Sequence, residues 1–212
     1  MIIYCDNHLL IADKPPNLLT QSEEDIEGLT DWAKNWIKKE FAKAGNVFLH
    51  PVHRLDRAAM GLVLFARTSK ALARLNSAMR ARTIIKKYVA IIEGTPAKKE
   101  GILEHILLHD AHRARLVKES DIGAKKAELH YRVLATKAGK TLVEIELYTG
   151  RYHQIRAQFS LIGHPVWGDK KYASVMPYPQ EGIALCHQSL AFEHPVQQKK
   201  MTFFSKQKLM DW

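Results

Sequence analysis

Residues 53–61, His-Arg-Leu-Asp-Arg-Ala-Ala-Met-Gly, run straight into Leu62-Val63-Leu64-Phe65-Ala66. Five consecutive apolar residues with no polar alternation read as a strand buried in the fold, so other elements must cover it. The charged stretch then lies at the mouth of that strand. A carboxylate held among cations stays ionised and aimed, which suits a nucleophile or an electrostatic stabiliser. Asp56, between Arg54 and Arg57, is the first candidate, and a structural ion pair at a strand entrance is the plainer alternative.

A second stretch sharpens this. Leu142, Glu144 and Glu146 alternate with Val143, Ile145 and Leu147, as in a half-buried strand. Gly150-Arg151-Tyr152-His153-Gln154-Ile155-Arg156 follows, and Ile155, Phe159 and Ile162 then recur at helical spacing up to Gly163 and Pro165. A strand therefore hands over to a helix, with Arg156 in its first turns among unpaired N–H donors. That placement favours contact with an anion, either a phosphate or the Asp56 carboxylate.

Segments 2–4, 9–12, 62–66, 88–92, 131–135 and 143–147 read as strands. Leu29, Trp32, Ala33, Trp36, Ile37 and Phe41 form one helical stripe, and Leu72, Leu75 and Met79 another that Ser69 can cap. Trp32 and Trp36 share the first stripe, so they are expected in the core rather than as base-stacking platforms. The class is α+β. No repeat, low-complexity run or Pro/Gly/Ser-rich linker divides residues 1–212, which read as one domain.

The charge balance, 32 Lys and Arg against 22 Asp and Glu, gives +10 and a field that attracts polyanions, with RNA the expected partner. Two cysteines exclude a disulfide framework and lack metal-ligand spacing. With no basic leader and no membrane-length apolar run, the expectation is a soluble, cytoplasmic protein. No heptad repeat asks for a dimer, and a monomer is expected.

The His53-Arg54-Leu55-Asp56 and Gly150–Arg156 motifs, in this order and at this separation, resemble those of the RNA pseudouridine synthases of the RluA type. Further segments agree along almost the whole chain. Lys86-Lys87-Tyr88 to Gly94 is similar to the family's Lys-x-Tyr strand, and Gly163-His164-Pro165-Val166-Trp167-Gly168-Asp169-Lys170-Lys171-Tyr172 to its Gly-His-Pro-x-x-Gly-Asp-x-x-Tyr segment. Phe192-Glu193-His194-Pro195 resembles its closing motif, and Ile11-Ala12-Asp13-Lys14-Pro15-Pro16 its opening strand and loop. One departure stands out: Ala59-Met60 replaces the usual Thr-Ser, which removes two hydroxyls that can tie the loop backbone.

The resemblance implies the pseudouridine synthase fold, a mixed, largely antiparallel sheet bent into two lobes and flanked by helices, with Asp56 in a central cleft. The small S4-type module that many members carry is expected to be absent. It also implies isomerisation of uridine to pseudouridine in ribosomal or transfer RNA. Breaking the glycosidic carbon–nitrogen bond and making a carbon–carbon bond from the same ring needs no outside group, so neither cofactor nor metal is expected. Asp56 would act as nucleophile or stabiliser, Arg156 would pair with it, and Tyr88 would stack on uracil or move a proton at C5. Arg54 would fill the space left by the extruded nucleotide, with Arg57 and Arg151 as phosphate contacts. His53 and His153, though in the motifs, are read as hydrogen-bonding core residues.

The sequence leaves two rivals open. His50, His53 and Asp56, or His105, His109 and His112, mimic metal-ligand spacings and would suit a metal hydrolase. A non-catalytic RNA-binding protein or RNA-folding helper would keep the fold and lose the chemistry.

Overall fold

The computed structural model of the chain describes residues 1–210. In chain order it forms β1 (Ile2–Cys5), β2 (Leu9–Lys14), α1 (Leu29–Glu40), β3 (His50–Pro51), β4 (Met60–Ala66) and α2 (Ser69–Arg80). Then follow β5 (Ile85–Glu93), β6 (Glu100–Asp110), β7 (Arg113–Leu116), β8 (Lys125–Lys137), β9 (Lys140–Leu147) and α3 (Gln154–Leu161). A 3₁₀ turn (Lys170–Tyr172), β10 (Leu185–Glu193) and β11 (Lys200–Phe204) complete an α+β chain that gathers into two compact units.

The first unit comprises Met1–Ile84 and His187–Gln207. Its pairings β1–β2, β2–β4, β3–β4 and β10–β11 are antiparallel. Both β2 and β4 are buried along their whole length, as the unalternating run at 62–66 requires. Leu9, Ile11, Leu62, Leu64, Leu190 and Phe192 form the core beneath α2, which sends Ala71 and Leu75 into it. Here Thr68, not Ser69, caps α2: its hydroxyl accepts the Ala71 N–H at 3.1 Å, while Ser69 is already the first helical residue. The stripe on α1 is also narrower than expected. Leu29, Ala33 and Ile37 are buried, but Trp32 and Trp36 are only half-buried and Phe41 is exposed.

The second unit comprises Ile85–Cys186 and the described residues from Lys208. Its strands run β5-β9-β8-β6-β7, antiparallel at every pairing. Alternate residues of β9 are buried, as the sequence pattern demands. The helix α3 packs against β6, β7 and the 3₁₀ turn, with Ala157 among Leu107, Ala114, Ala127 and Tyr172. It ends in a Schellman closure: Gly163 N–H reaches Ser160 O at 3.0 Å, His164 N–H reaches Phe159 O at 2.9 Å, and Gly163 takes φ +82°. A left-handed His153 (φ 50°) turns the chain into this helix.

Candidate active site

Asp56 sits half-buried on the loop before β4, and the backbone of that loop is fastened to the end of β2. Lys14, fully buried at 0% exposure, donates from Nζ to the carbonyls of Ala59 (2.6 Å), Leu18 (2.8 Å), Pro15 (2.9 Å) and Arg57 (3.2 Å). An ammonium taken out of water costs several kcal/mol, and a ring of carbonyl dipoles is what offsets that cost. Burial pushes the Lys14 pKa down to about 8, while the nearby Asp56 carboxylate acts in the opposite direction. One cation thus orders the loop and lies within electrostatic reach of the carboxylate it carries.

Thr20 ties the same loop on both sides of the Leu55 peptide: its hydroxyl donates to Leu55 O and accepts from Leu55 N–H, each at 3.0 Å. Arg57 Nε donates to Asn17 O at 3.2 Å. The hydroxyls absent from Ala59 and Met60 are therefore not what holds the loop; both side chains are buried, and the ties run through main-chain carbonyls. Gly61 explains the end of the motif. It adopts φ +111°, and a Cβ there would come within 2.5 Å of the His187 carbonyl oxygen. His53 is a framework residue, its Nε2 accepting Leu64 N–H at 3.2 Å.

In the second unit, Arg156 sends Nε to Asp169 Oδ2 at 2.6 Å and Nη2 to Asp169 Oδ1 at 2.8 Å, in a buried two-pronged pair. The ring of Tyr172 lies 5.1 Å from the guanidinium carbon. Its hydroxyl accepts Ala114 N–H at 2.7 Å and lies 3.0 Å from His153 Nδ1. Burial, reinforced by Arg156 and Lys171, drops the His153 pKa to about 3, so this imidazole stays neutral at ordinary pH, in keeping with a core role. Gln154 closes the turn ahead of α3, its Oε1 accepting from Thr149 Oγ1 (2.7 Å) and Arg151 N (3.0 Å).

Each residue singled out from sequence can now be placed. Asp56, Arg54 and Arg57 belong to the first unit, with both arginines exposed on the loop; Tyr88, Arg151 and Arg156 belong to the second. Tyr88 is buried on β5, and exposed Arg151 donates from Nε to Lys126 O at 2.8 Å. The structure gives Arg156 an anion that sequence reasoning did not name, Asp169. Lys14 and Tyr172 were also missed as organisers, although all three stand inside quoted motifs. Among the described residues no group of three or more His, Cys, Asp or Glu is placed to hold a metal. His105 and His109 lie on β6 four residues apart, about 13 Å along a strand, and so do not converge.

The model of the RNA pseudouridylate synthase family matches residues 8–161. An uncharacterized RNA pseudouridine synthase of Bacillus subtilis, YhcT, is 35% identical over 81% of this chain and 57% of its own length. The ribosomal large subunit pseudouridine synthase C of Rickettsia typhi is 34% identical over 84% of this chain and 58% of its own. The dual-specificity RNA pseudouridine synthase RluA of Escherichia coli is 32% identical over 96% and 91% respectively. The chain thus spans less than two thirds of the first two relatives and nearly all of the third. Among solved structures, human RNA pseudouridylate synthase domain containing 4 shares the fold, with TM-score 0.79 at 22% identity over 97% of this chain and 87% of that one. The chain belongs to the RNA pseudouridylate synthase family, in its RluA-type branch.

Proposed function

We propose that this chain isomerises particular uridines to pseudouridine in ribosomal or transfer RNA, without cofactor or metal, as a cytoplasmic monomer. Family membership supports the reaction class. One structural observation carries the reading to a residue: the Asp56 loop is pinned through its own carbonyls to a buried ammonium that also interacts with the Asp56 charge. A carboxylate meant only to cap a strand would not need its backbone fixed from beneath in this way. Fixed, it is preorganised to attack or stabilise an electron-poor sugar carbon.

In this reading the target nucleotide leaves its stack at a cost of a few kcal/mol, and Arg54 takes up the vacated space. Asp56 meets the ribose, and the glycosidic bond breaks. The uracil turns and is rejoined through C5; C5 gives up a proton and the freed N1 gains one, so the product is an isomer of uridine, with Tyr88 as stacking platform or proton carrier. Arg156, its plane set by Asp169, serves the reaction as a cation. Exposed Arg54, Arg57 and Arg151 hold phosphates. No helix among the described residues is long and apolar enough to cross a membrane.

The test is a pseudouridine map of total RNA from cells with and without the gene, repeated with purified protein and transcripts. The wild type is expected to introduce pseudouridine at defined positions, and Asp56→Ala to introduce none while retaining most RNA affinity. Wild-type turnover by Asp56→Ala would overturn the role of Asp56. RNA binding with no pseudouridine from the wild type would leave an RNA-binding protein in place of an enzyme.

A further inference from the structure

On β5 the side chains of Lys86 and Tyr88 share the buried face, at 6% and 5% exposure, while the neighbouring Ile85 is 46% exposed. The start of this strand inverts the usual pattern, with a cation turned inward and an aliphatic side chain turned outward. A one-residue shift would correct it. Lys87, on the other face, has ordinary company, with Glu144 Oε1 at 3.6 Å.

Comparison with Lys14 shows what is unusual. Lys14, more deeply buried still, has four carbonyl acceptors. Lys86 has no hydrogen bond or ion pair to any described residue, and burial alone drives its pKa down to about 8. Burial of the side chain desolvates the ammonium in part, a cost to the folded chain that no described side chain or carbonyl offsets. Its surroundings indicate what relieves it. Apart from Gly150 itself and its two chain neighbours, a Cβ built on Gly150 would meet only Lys86 Nζ, at 3.8 Å. The ammonium therefore borders open space above the residue that begins the Gly150–Arg156 motif. A glycine there lets a bulky group approach the main chain.

We propose that Lys86 is an RNA-binding residue whose ammonium receives a phosphate oxygen of the bound strand, in the space above Gly150 and beside Tyr88. This rests on RNA being the ligand, as in the function proposed above, and adds a contact next to the reacting base. A full negative charge compensates a buried ammonium where a neutral carbonyl compensates it only in part. The compact, rotatable donor of a lysine suits a phosphate as a point charge. The chain as a whole, at +10, is built to meet a polyanion.

The experiment uses the full chain and a transfer RNA transcript together with a ribosomal stem-loop transcript, with Kd measured across a salt series for wild type, Lys86→Met and Gly150→Val. Lys86→Met should weaken binding roughly tenfold and reduce the salt slope by about 1. Gly150→Val, which keeps the ammonium and fills the space, should weaken binding to a similar degree. In RNA-free protein Lys86→Met should melt at or above the wild-type temperature, because an unpaired charge is removed. A lysine that merely held the fold would melt lower. Wild-type Kd and slope in Lys86→Met overturn the proposal, and a loss of affinity with unchanged slope replaces the phosphate by a neutral acceptor and overturns it too. These readouts do not depend on turnover. A wild-type protein that binds RNA but makes no pseudouridine would defeat the proposed reaction while leaving the Lys86 result to stand or fall by itself.

Discussion

Asp169 grips Arg156 through two parallel hydrogen bonds, at 2.6 and 2.8 Å, with both side chains almost wholly withdrawn from solvent. The pair fixes the plane of the guanidinium, and a planar fork can present only its remaining edge to a further anion. Replacing Asp169 by Asn leaves the fold with a buried cation that has lost its counter-charge. Such losses cost about 3–5 kcal/mol. The expected outcome is a clear drop in the urea midpoint, with pseudouridine formation falling further than the unfolded fraction explains. Arg156→Lys should likewise lose most turnover, since an ammonium cannot reproduce both arms of the fork. Turnover that merely tracks stability in both variants would remove Arg156 from the chemistry.

Lys14 invites a second substitution. Lys14→Met removes a buried charge but leaves the carbonyls of Pro15, Leu18, Arg57 and Ala59 without their donor. The buried Ala59 carbonyl left without a donor costs about 1–3 kcal/mol and the three partly buried ones add less, so the net effect is destabilising despite the relieved desolvation. The local signature is at Ala59, whose N–H donates to Asp56 O at 3.1 Å. Amide exchange there should accelerate in Lys14→Met and remain slow in Arg57→Ala, because the Arg57 side-chain tie to Asn17 is exposed. Equal exchange in the two variants would deny Lys14 its place as the loop's anchor.

The depressed lysines set a pH dependence. Lys14 and Lys86 release their protons near pH 8 in the folded chain, against 10.5 when exposed. Between those values the unfolded chain binds more protons, so stability rises with pH, by up to roughly 1.4 kcal/mol per pH unit per lysine. Below pH 8 both states hold the protons and these groups contribute no slope. Urea midpoints between pH 8 and 9.5 should therefore climb less steeply in Lys86→Met than in wild type. Parallel curves would mean that the Lys86 ammonium is not desolvated.

How legible these features were depended on whether the signal was local. The alternation of residues 142–147 fixes β9 because each side chain faces the opposite way from the last, and the apolar run at 62–66 fixes β4 because no polar atom interrupts it. By contrast, β10 carries His187 and Gln188 in its first half, which resembles a surface segment until His187 Nδ1 is found 2.6 Å from Leu62 O. Asp13 and Lys14 hide their partners in the same way: Asp13 is satisfied by Ser205 Oγ and Lys206 N–H, each at 2.7 Å and almost two hundred residues away. The site motifs were legible as words. What Asp169 and Lys14 do within them depends on partners that only folding brings near.

Exposed arginines and the net charge lead to the last expectation. Arg54, Arg57 and Arg151 are all solvent-facing, and two of them are oriented by a single bond from Nε to a main-chain carbonyl, Asn17 O and Lys126 O. That bond steadies the side chain and leaves the outer nitrogens to other acceptors, of which phosphate oxygens are the commonest in a nucleic-acid complex. Neutralising phosphates releases counterions, so affinity should fall by roughly 10³ or more between 50 and 200 mM salt if six to ten are contacted. Alanine at any one of the three arginines should reduce the slope of log K against log salt by about 1 and weaken different RNA sequences alike. A titration series read by filter binding distinguishes this from sequence reading: an arginine whose loss discriminates between RNAs contacts a base, and one whose loss leaves the slope intact contacts no RNA at all.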